Sequence, residues 1–123
     1  MDKCPFCNIV DKETVLESKY TFAIYDKFPV NKGHFLLISK RHISNYFSLS
    51  KKEKDDIWEL ADKAYNLLNK NFSPSGFNIG ANINETAGQT IPHVHVHIIP
   101  RYKNDVADPT GGVRGVIPSR QKY

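Results

Sequence analysis

Apolar and polar positions change their spacing several times along this chain, and each change marks an element. Thr21-Phe22-Ala23-Ile24-Tyr25 and His34-Phe35-Leu36-Leu37-Ile38-Ser39 are short runs rich in aromatic and aliphatic residues, the pattern of strands. Between them, Lys27-Phe28-Pro29-Val30-Asn31-Lys32-Gly33 holds the turn residues of a hairpin-scale connection, so the two runs read as antiparallel neighbours. Val15 to Tyr20 reads as a short edge strand. Ile57, Leu60, Ala61, Ala64, Leu67 and Leu68 then recur at helical intervals. Ser50 and Glu53 stand ahead of them at capping-box spacing and Ser73-Pro74 follows, which predicts one long helix. Trp58 and Tyr65 lie on a neighbouring stripe, where they either widen the core face or meet a second subunit. Gly76 to Asn82 is strand-like with glycines. A polar loop from Ile83 to Pro92 leads into a last strand, His93 to Ile99, which Pro100 is expected to end.

Several strands and one long helix, without alternating βαβ units, predict an α+β domain with a mostly antiparallel sheet. A chain of 123 residues, 40% hydrophobic and 24% charged, suits a single domain over residues 1–123, with an irregular tail from about residue 103 to 123. No stretch approaches the roughly 20 apolar residues of a membrane span, and Met1-Asp2-Lys3-Cys4-Pro5 lacks the apolar region of a signal peptide. The expectation is a cytoplasmic protein with no membrane partner. Net charge is +4, but Lys51-Lys52-Glu53-Lys54-Asp55-Asp56 mixes signs as a solvated helix start does. Without a long basic stripe interleaved with aromatics, no nucleic-acid partner is expected.

The chemistry concentrates on the last strand. His93, His95 and His97 alternate, and side chains on a strand repeat every two residues, so the three imidazoles are expected on one face, roughly 6.6 Å apart along the chain. Val94, Val96 and Ile98 would face the core. A metal site on this strand is an alternative to imidazole-based phosphate chemistry. A hydrolytic metal shell wants carboxylates close by, and the approach loop offers only Glu85. Ahead of the histidines, Gly88-Gln89-Thr90 combines a flexible glycine, an amide donor and a hydroxyl donor, a set that can cradle phosphate oxygens. Neither a Walker-type nor a Rossmann-type glycine motif occurs, so nucleotides would bind in another manner. Cys4 and Cys7, the two cysteines, cannot build a disulfide framework and supply half of a four-ligand metal site.

The segment Gly88-Gln89-Thr90-Ile91-Pro92-His93-Val94-His95-Val96-His97-Ile98-Ile99-Pro100-Arg101 resembles the signature of the histidine triad family of nucleotide hydrolases and transferases. The similarity extends back through Phe22-Ala23-Ile24-Tyr25-Asp26 and Gly33 to Ser44, covering about residues 4 to 102. It implies a histidine-triad-like fold with about five strands, one long helix and a short N-terminal helix, paired into a homodimer through the long helix and a strand.

By that resemblance His95 is the nucleophile that attacks the α-phosphorus of a nucleotide, leaving a nucleotidyl-imidazole for water to hydrolyse, with His97 and His34 completing the catalytic set. Imidazole suits the role: with a reference pKa of about 6.5 it is largely neutral near pH 7, and its phosphoramidate adduct stays reactive. One ring nitrogen must be held by an acceptor, expected as a main-chain carbonyl of the opposing strand or a loop. Asn82, Gly88, Gln89 and Thr90 would contact phosphate, Asp26 the ribose hydroxyls, and Phe6, Ile9 and Ile24 would line the base slot. The N-terminal cysteine pair resembles a zinc-bound bacterial subgroup, which implies one structural zinc per chain on Cys4, Cys7, His42 and His93. The expected function is hydrolysis at the α-phosphate of a purine nucleotide conjugate, a dinucleoside polyphosphate first. The alternatives are a nucleoside phosphoramidase, or a non-catalytic zinc-stabilised nucleotide-binding module. The tail departs from the family's Hint branch, and Arg114 could reach a distal phosphate or serve the surface or a dimer contact.

Overall fold

The structure is a computed structural model that describes residues 4–9 and 11–123. Five strands form one antiparallel sheet: β1 (Leu16–Glu17), β2 (Thr21–Tyr25), β3 (Phe35–Ser39), β4 (Gly76–Gly80) and β5 (His95–Arg101), in the order β1-β2-β3-β5-β4. The one α-helix among the described residues, α1 (Lys51–Phe72), covers one face, and the short N-terminal helix is a single 3-10 turn at Asp11–Glu13.

Why β3 is apolar at four successive positions follows from this layering. Phe35 and Leu37 pack into the helix-side core with Ile57, Leu60, Ala64 and Leu68. Leu36 and Ile38 point the other way, into a smaller cluster with Cys4, Phe6 and Ile24. A central strand covered on both faces has no polar face to alternate with, and each buried aliphatic side chain contributes about 1.5–3 kcal/mol. Gly33 makes the turn into β3 at φ +85°, and a Cβ there would come within 3.0–3.2 Å of Phe72 and Pro100, so only glycine fits.

The helix starts where the capping box predicts: the Ser50 hydroxyl accepts from the Glu53 N–H, and the Glu53 carboxylate accepts from the Ser50 N–H. It stops at Ser73, in the left-handed conformation, ahead of Pro74. Glu53 is also held by Arg41 through two bonds of 2.8 and 3.0 Å, and that guanidinium is the main reason its carboxyl titrates at about 2. Trp58 and Tyr65 remain exposed, at 42% and 53%, beside Ile79 of the edge strand β4.

Two expectations change at β5. The strand begins at His95, because the His93 N–H turns back to the Ile91 carbonyl instead of joining a ladder. Nor does Pro100 end it: Pro100 pairs with Phe77 and the strand runs on to Arg101. The register with β3 stops at Ile98, so at Pro100 only the β4 side is a ladder, and the missing N–H costs no bond on the open side.

Candidate active site

The β5 register sets the site face. His97 lies opposite Leu36 and His95 opposite Ile38, so both imidazoles share the face of the N-terminal cluster, while Val94, Val96 and Ile98 join the helix-side core. The His95 and His97 ring centroids are 5.2 Å apart. His93, outside the strand, is buried and stands edge-on to Phe6 at 5.8 Å, as His95 does at 5.0 Å.

Hydrogen bonds fix how each ring carries its proton. His95 Nδ1 lies 2.8 Å from the His93 carbonyl, which can only accept, so Nδ1 carries a proton and in the neutral ring the lone pair is on Nε2. The acceptor belongs to the residue two positions earlier, in the loop that leads into β5, and not to an opposing strand. His34 Nδ1 accepts from the Val30 N–H at 3.0 Å, which leaves the neutral ring's proton on Nε2. That proton points to His97 Nδ1 at 2.9 Å, with Asp26 Oδ2 at 3.4 Å. His97 therefore accepts at Nδ1 and donates from Nε2. Burial keeps both rings neutral, lowering His34 and bringing His97 to about 4, while Asp26 opposes both shifts. Asp26, His34 and His97 lie close enough to suggest a metal cluster, but the Val30 N–H leaves His34 Nε2 protonated and unable to ligate.

A cavity of about 330 Å³ opens over His95 and His97. It brings together most of the residues expected from sequence: the apolar Phe6, Ile9 and Ile24 line it together with Asp26, Asn82, Gly88 and Thr90. Gln89 is placed elsewhere. Its amide is buried, donating to the Ser44 and Ile91 carbonyls and accepting from the Asn84 N–H, so it braces the loop instead of lining the cavity. His34 stands behind His97. Sequence reasoning missed Pro5, Lys27, Phe28, Leu36 and Ile91 in the lining. Leu36 could have been found, since β3 alternation puts it on the face opposite Leu37; Pro5 follows from its place between the cysteines.

Cys4, Cys7, His42 and His93 form a second cluster, with all four ligand atoms within 4.8 Å of one another. His93 Nδ1 is 3.3 Å from Cys4 Sγ, 3.6 Å from Cys7 Sγ and 3.1 Å from His42 Nδ1, and Cys7 Sγ is 3.1 Å from His42 Nδ1. A tetrahedral ion bonded at about 2.3 Å to sulfur and about 2.05 Å to nitrogen separates its ligands by roughly 3.3–3.8 Å, and these four separations lie within about half an ångström of that range. The His93 ring is already oriented for ligation, because its Nε2–H donates to the Ser39 carbonyl at 2.7 Å and so turns the Nδ1 lone pair toward the sulfurs. These four residues could hold one metal ion without using His95 or His97.

A larger cavity of about 550 Å³ lies between the tail and Val30–Asn31, but its charged groups are engaged with each other, Asp105 with Arg101 through two 2.8 Å bonds and Asp108 with Lys122 at 3.6 Å. No helix among the described residues is long and apolar enough to cross a membrane.

Comparison with known proteins agrees with this geometry. The chain is 36% identical over 99 residues to the bis(5'-nucleosyl)-tetraphosphatase [asymmetrical] of Schizosaccharomyces pombe, covering 80% of this chain and 54%, about half, of that enzyme. To the bis(5'-adenosyl)-triphosphatase of Dictyostelium discoideum it is 34% identical, covering 79% of this chain and 65% of that one. The crystal structure of a HIT family protein from Bacillus anthracis superposes with a TM-score of 0.77 at 38% identity, covering 84% of this chain and 76% of that one. Residues 9–104 match the HIT domain, and with the histidines disposed as described, the chain belongs to the HIT family.

Proposed function

We propose that this chain hydrolyses nucleoside 5'-phosphoryl conjugates by attack of His95 Nε2 on the α-phosphorus. The observation that carries this reading is the proton assignment of His95: with Nδ1–H given to the His93 carbonyl, the free lone pair belongs to the nitrogen left for the cavity. In the first step the Nε2–phosphorus bond forms as the bond to the leaving group breaks. The electron pair stays with the leaving atom, which takes a proton from water by way of His97 Nε2–H where its basicity demands one. In the second step water, or the hydroxide equivalent left by that transfer, adds to phosphorus and releases His95 with its original single proton. Thr90, Gly88 and Asn82 border the phosphate position, Asp26 is suited to the ribose hydroxyls, and Phe6, Ile9 and Ile24 to the base.

Dinucleoside polyphosphates are the substrates suggested by the names of the fission yeast and Dictyostelium relatives. Zinc is the ion best suited to the two-cysteine, two-histidine donor set, and it would be structural, since that shell is complete without water. Two thiols kept as metal ligands suit a reducing compartment such as the cytoplasm. The exposed Trp58, Tyr65 and Ile79 offer a second copy of the chain an apolar face made of helix and edge strand.

The test is covalent capture. Brief incubation with an α-phosphate-labelled dinucleoside polyphosphate, followed by alkaline quench, should leave up to one label per chain on the wild type and none on His95→Ala, which should still bind nucleotide. Turnover that persists in His95→Ala would overturn the mechanism. Binding without turnover in the wild type would favour the non-catalytic module.

A further inference from the structure

The 2.9 Å contact between His34 Nε2 and His97 Nδ1 does not by itself say which ring gives the proton. With both rings held neutral by burial, the pair has two arrangements. In one, His34 Nε2–H donates to His97 Nδ1, and His97 keeps its own proton on Nε2. In the other, His97 Nδ1–H donates to His34 Nε2, and His97 Nε2 is a bare lone pair that can give nothing to a leaving group. The choice falls to the partners around His34. The Val30 N–H, 3.0 Å from His34 Nδ1, can only donate and so demands the first arrangement. Asp26 Oδ2, 3.4 Å from His34 Nε2, leans the same way at longer range. A main-chain N–H in the loop between β2 and β3 therefore sets the proton that His97 offers.

That loop is exposed at Phe28 and Val30, so its own packing does not hold it. The Asp26 N–H closes its neck on the His34 carbonyl at 2.9 Å, and the His34 N–H reaches the Asn31 carbonyl at 3.1 Å. Its tip is held by the end of β5 and the turn that follows. Asn31 Nδ2 donates to the Pro100 carbonyl at 3.1 Å and to Asp105 Oδ2 at 2.8 Å, and the Tyr102 hydroxyl donates to the Lys32 carbonyl at 2.8 Å.

The turn is built to aim Asp105. The Asp105 N–H donates to the Tyr102 carbonyl at 3.1 Å and the Tyr102 N–H to Asp105 Oδ2 at 3.0 Å, across Asn104 at φ 67°, a conformation asparagine tolerates better than most residues. Arg101 grips both carboxylate oxygens at 2.8 Å and, first among the causes, holds the carboxyl well below the usual carboxylate range. Arg101 Nη1 is in turn anchored on Asn78 Oδ1 of β4 at 2.6 Å. The acceptor that Asn31 uses is thus fixed to the sheet. Asp105 lies just beyond the segment that matches the HIT domain.

Resting on the α-phosphate reading above, we propose that Asn31, Tyr102 and Asp105 are positioning residues for proton transfer: by holding the loop they keep the Val30 N–H on His34, and so keep the proton of His97 on Nε2. None of the three lines the cavity over His95 and His97. Releasing the loop lets water compete for the Val30 N–H, and the second arrangement becomes populated. In either arrangement the bond from His95 Nε2 to phosphorus forms as the bond to the leaving oxygen breaks and the electron pair goes with that oxygen. A strongly basic leaving oxygen needs the His97 proton at that moment, whereas a weakly basic one departs as the anion.

The experiment compares the wild type with Asp105→Ala, and with Tyr102→Phe, which deletes only the bond to Lys32 and so serves if Asp105→Ala does not fold. Two-bond proton–nitrogen correlation spectra of the histidine rings, near neutral pH and without substrate, should show His34 and His97 as Nε2–H tautomers in the wild type. Both rings should gain an Nδ1–H fraction in the variants, less in Tyr102→Phe. The second readout is turnover of the phenyl and 4-nitrophenyl esters of AMP. With the phenyl ester, kcat of Asp105→Ala should fall about tenfold, part of the roughly 10²–10⁴-fold that a positioned proton donor contributes. With the nitrophenyl ester it should stay close to the wild type, and KM should change little for both. Tautomers unmoved in the folded variants, or an equal loss on both esters, would overturn the proposal while leaving nucleotide hydrolysis intact. If the tautomers shift but no label reaches His95 in the wild type, it is the underlying reading that fails.

Discussion

His95 donates its Nδ1–H to the main-chain carbonyl of His93, 2.8 Å away, while the His93 side chain faces Cys4, Cys7 and His42. One residue thus joins the metal-ligand cluster to the ring proposed to react. Phe6, between the two cysteines, adds a second link by packing edge-on to both imidazoles and lining the cavity. Removal of the ion, by chelation or by Cys7→Ser, should loosen the His93 carbonyl and the Phe6 wall together. The expected outcome is a fall in kcat/KM of about 10–100-fold, the range for disturbed support around a metal site, with weaker nucleotide binding and a lower Tm. Metal-free protein, verified by elemental analysis, that binds and turns over nucleotide normally would break this link.

Asp26 has two visible duties before any ligand arrives: Oδ1 accepts from the Phe28 N–H at 2.9 Å, and Oδ2 stands 3.4 Å from His34 Nε2. If it also accepts from the ribose hydroxyls, Asp26→Asn should raise KM by about tenfold for a ribonucleotide, the scale of a hydrogen bond to a charged group. It should raise KM much less for the 2',3'-dideoxy analogue. Equal effects on both substrates would assign Asp26 to the turn and to His34 alone.

Much of this arrangement is legible in the chain because it is periodic. The spacing from Ile57 to Leu68 and the Ser50/Glu53 pair define α1 and its cap, and the runs around Phe22 and Leu36 define β2 and β3 as neighbours. Alternation also places His95 and His97 on one face. What stays hidden depends on contacts distant in sequence. His93 leaves the strand because its neighbour Val94 bonds to the Ile43 carbonyl, and Gln89 turns inward because the Ser44 carbonyl accepts its amide. The chain leaves Arg114 open to a distal phosphate, the surface or a dimer contact, and the carbonyls that hold it come from residues after it in an aperiodic tail.

Asp56 reads in the sequence as one charge of a solvated helix start, but the fold engages it fully. Its Oδ2 accepts from the Ser18 hydroxyl at 2.6 Å, the Thr21 hydroxyl at 2.8 Å and the Tyr20 N–H at 3.0 Å, tying α1 to the β1–β2 turn. Burial pushes its carboxyl up, and these three donors outweigh that and leave it lowered. Asp56→Ala strands the fully buried Thr21 hydroxyl. It should cost about 2–3 kcal/mol in denaturant unfolding with little change in KM, because none of these groups lines the cavity over His95 and His97.

His97 makes stability depend on pH in a direction that can be worked out. Burial, helped by His95 and His34 and opposed by Asp26, holds its folded-state pKa at about 4, whereas an unfolded histidine titrates near 6.5. Above about 6.5 both states are neutral and the group contributes no pH dependence. As pH falls from about 6.5 to about 4 the unfolded chain takes up a proton that the folded chain refuses, so folding is progressively disfavoured; below about 4 the effect levels off. Allowing for partial solvent access, the loss is on the order of 2 kcal/mol. His97→Gln keeps a side chain that can accept from His34 and does not titrate, so its stability should fall less steeply between pH 6.5 and 4. Since His97 is outside the four-ligand cluster, metal release at low pH affects both proteins alike and cancels in the difference. Parallel unfolding curves across that window would show that His97 titrates in the native protein near its ordinary value.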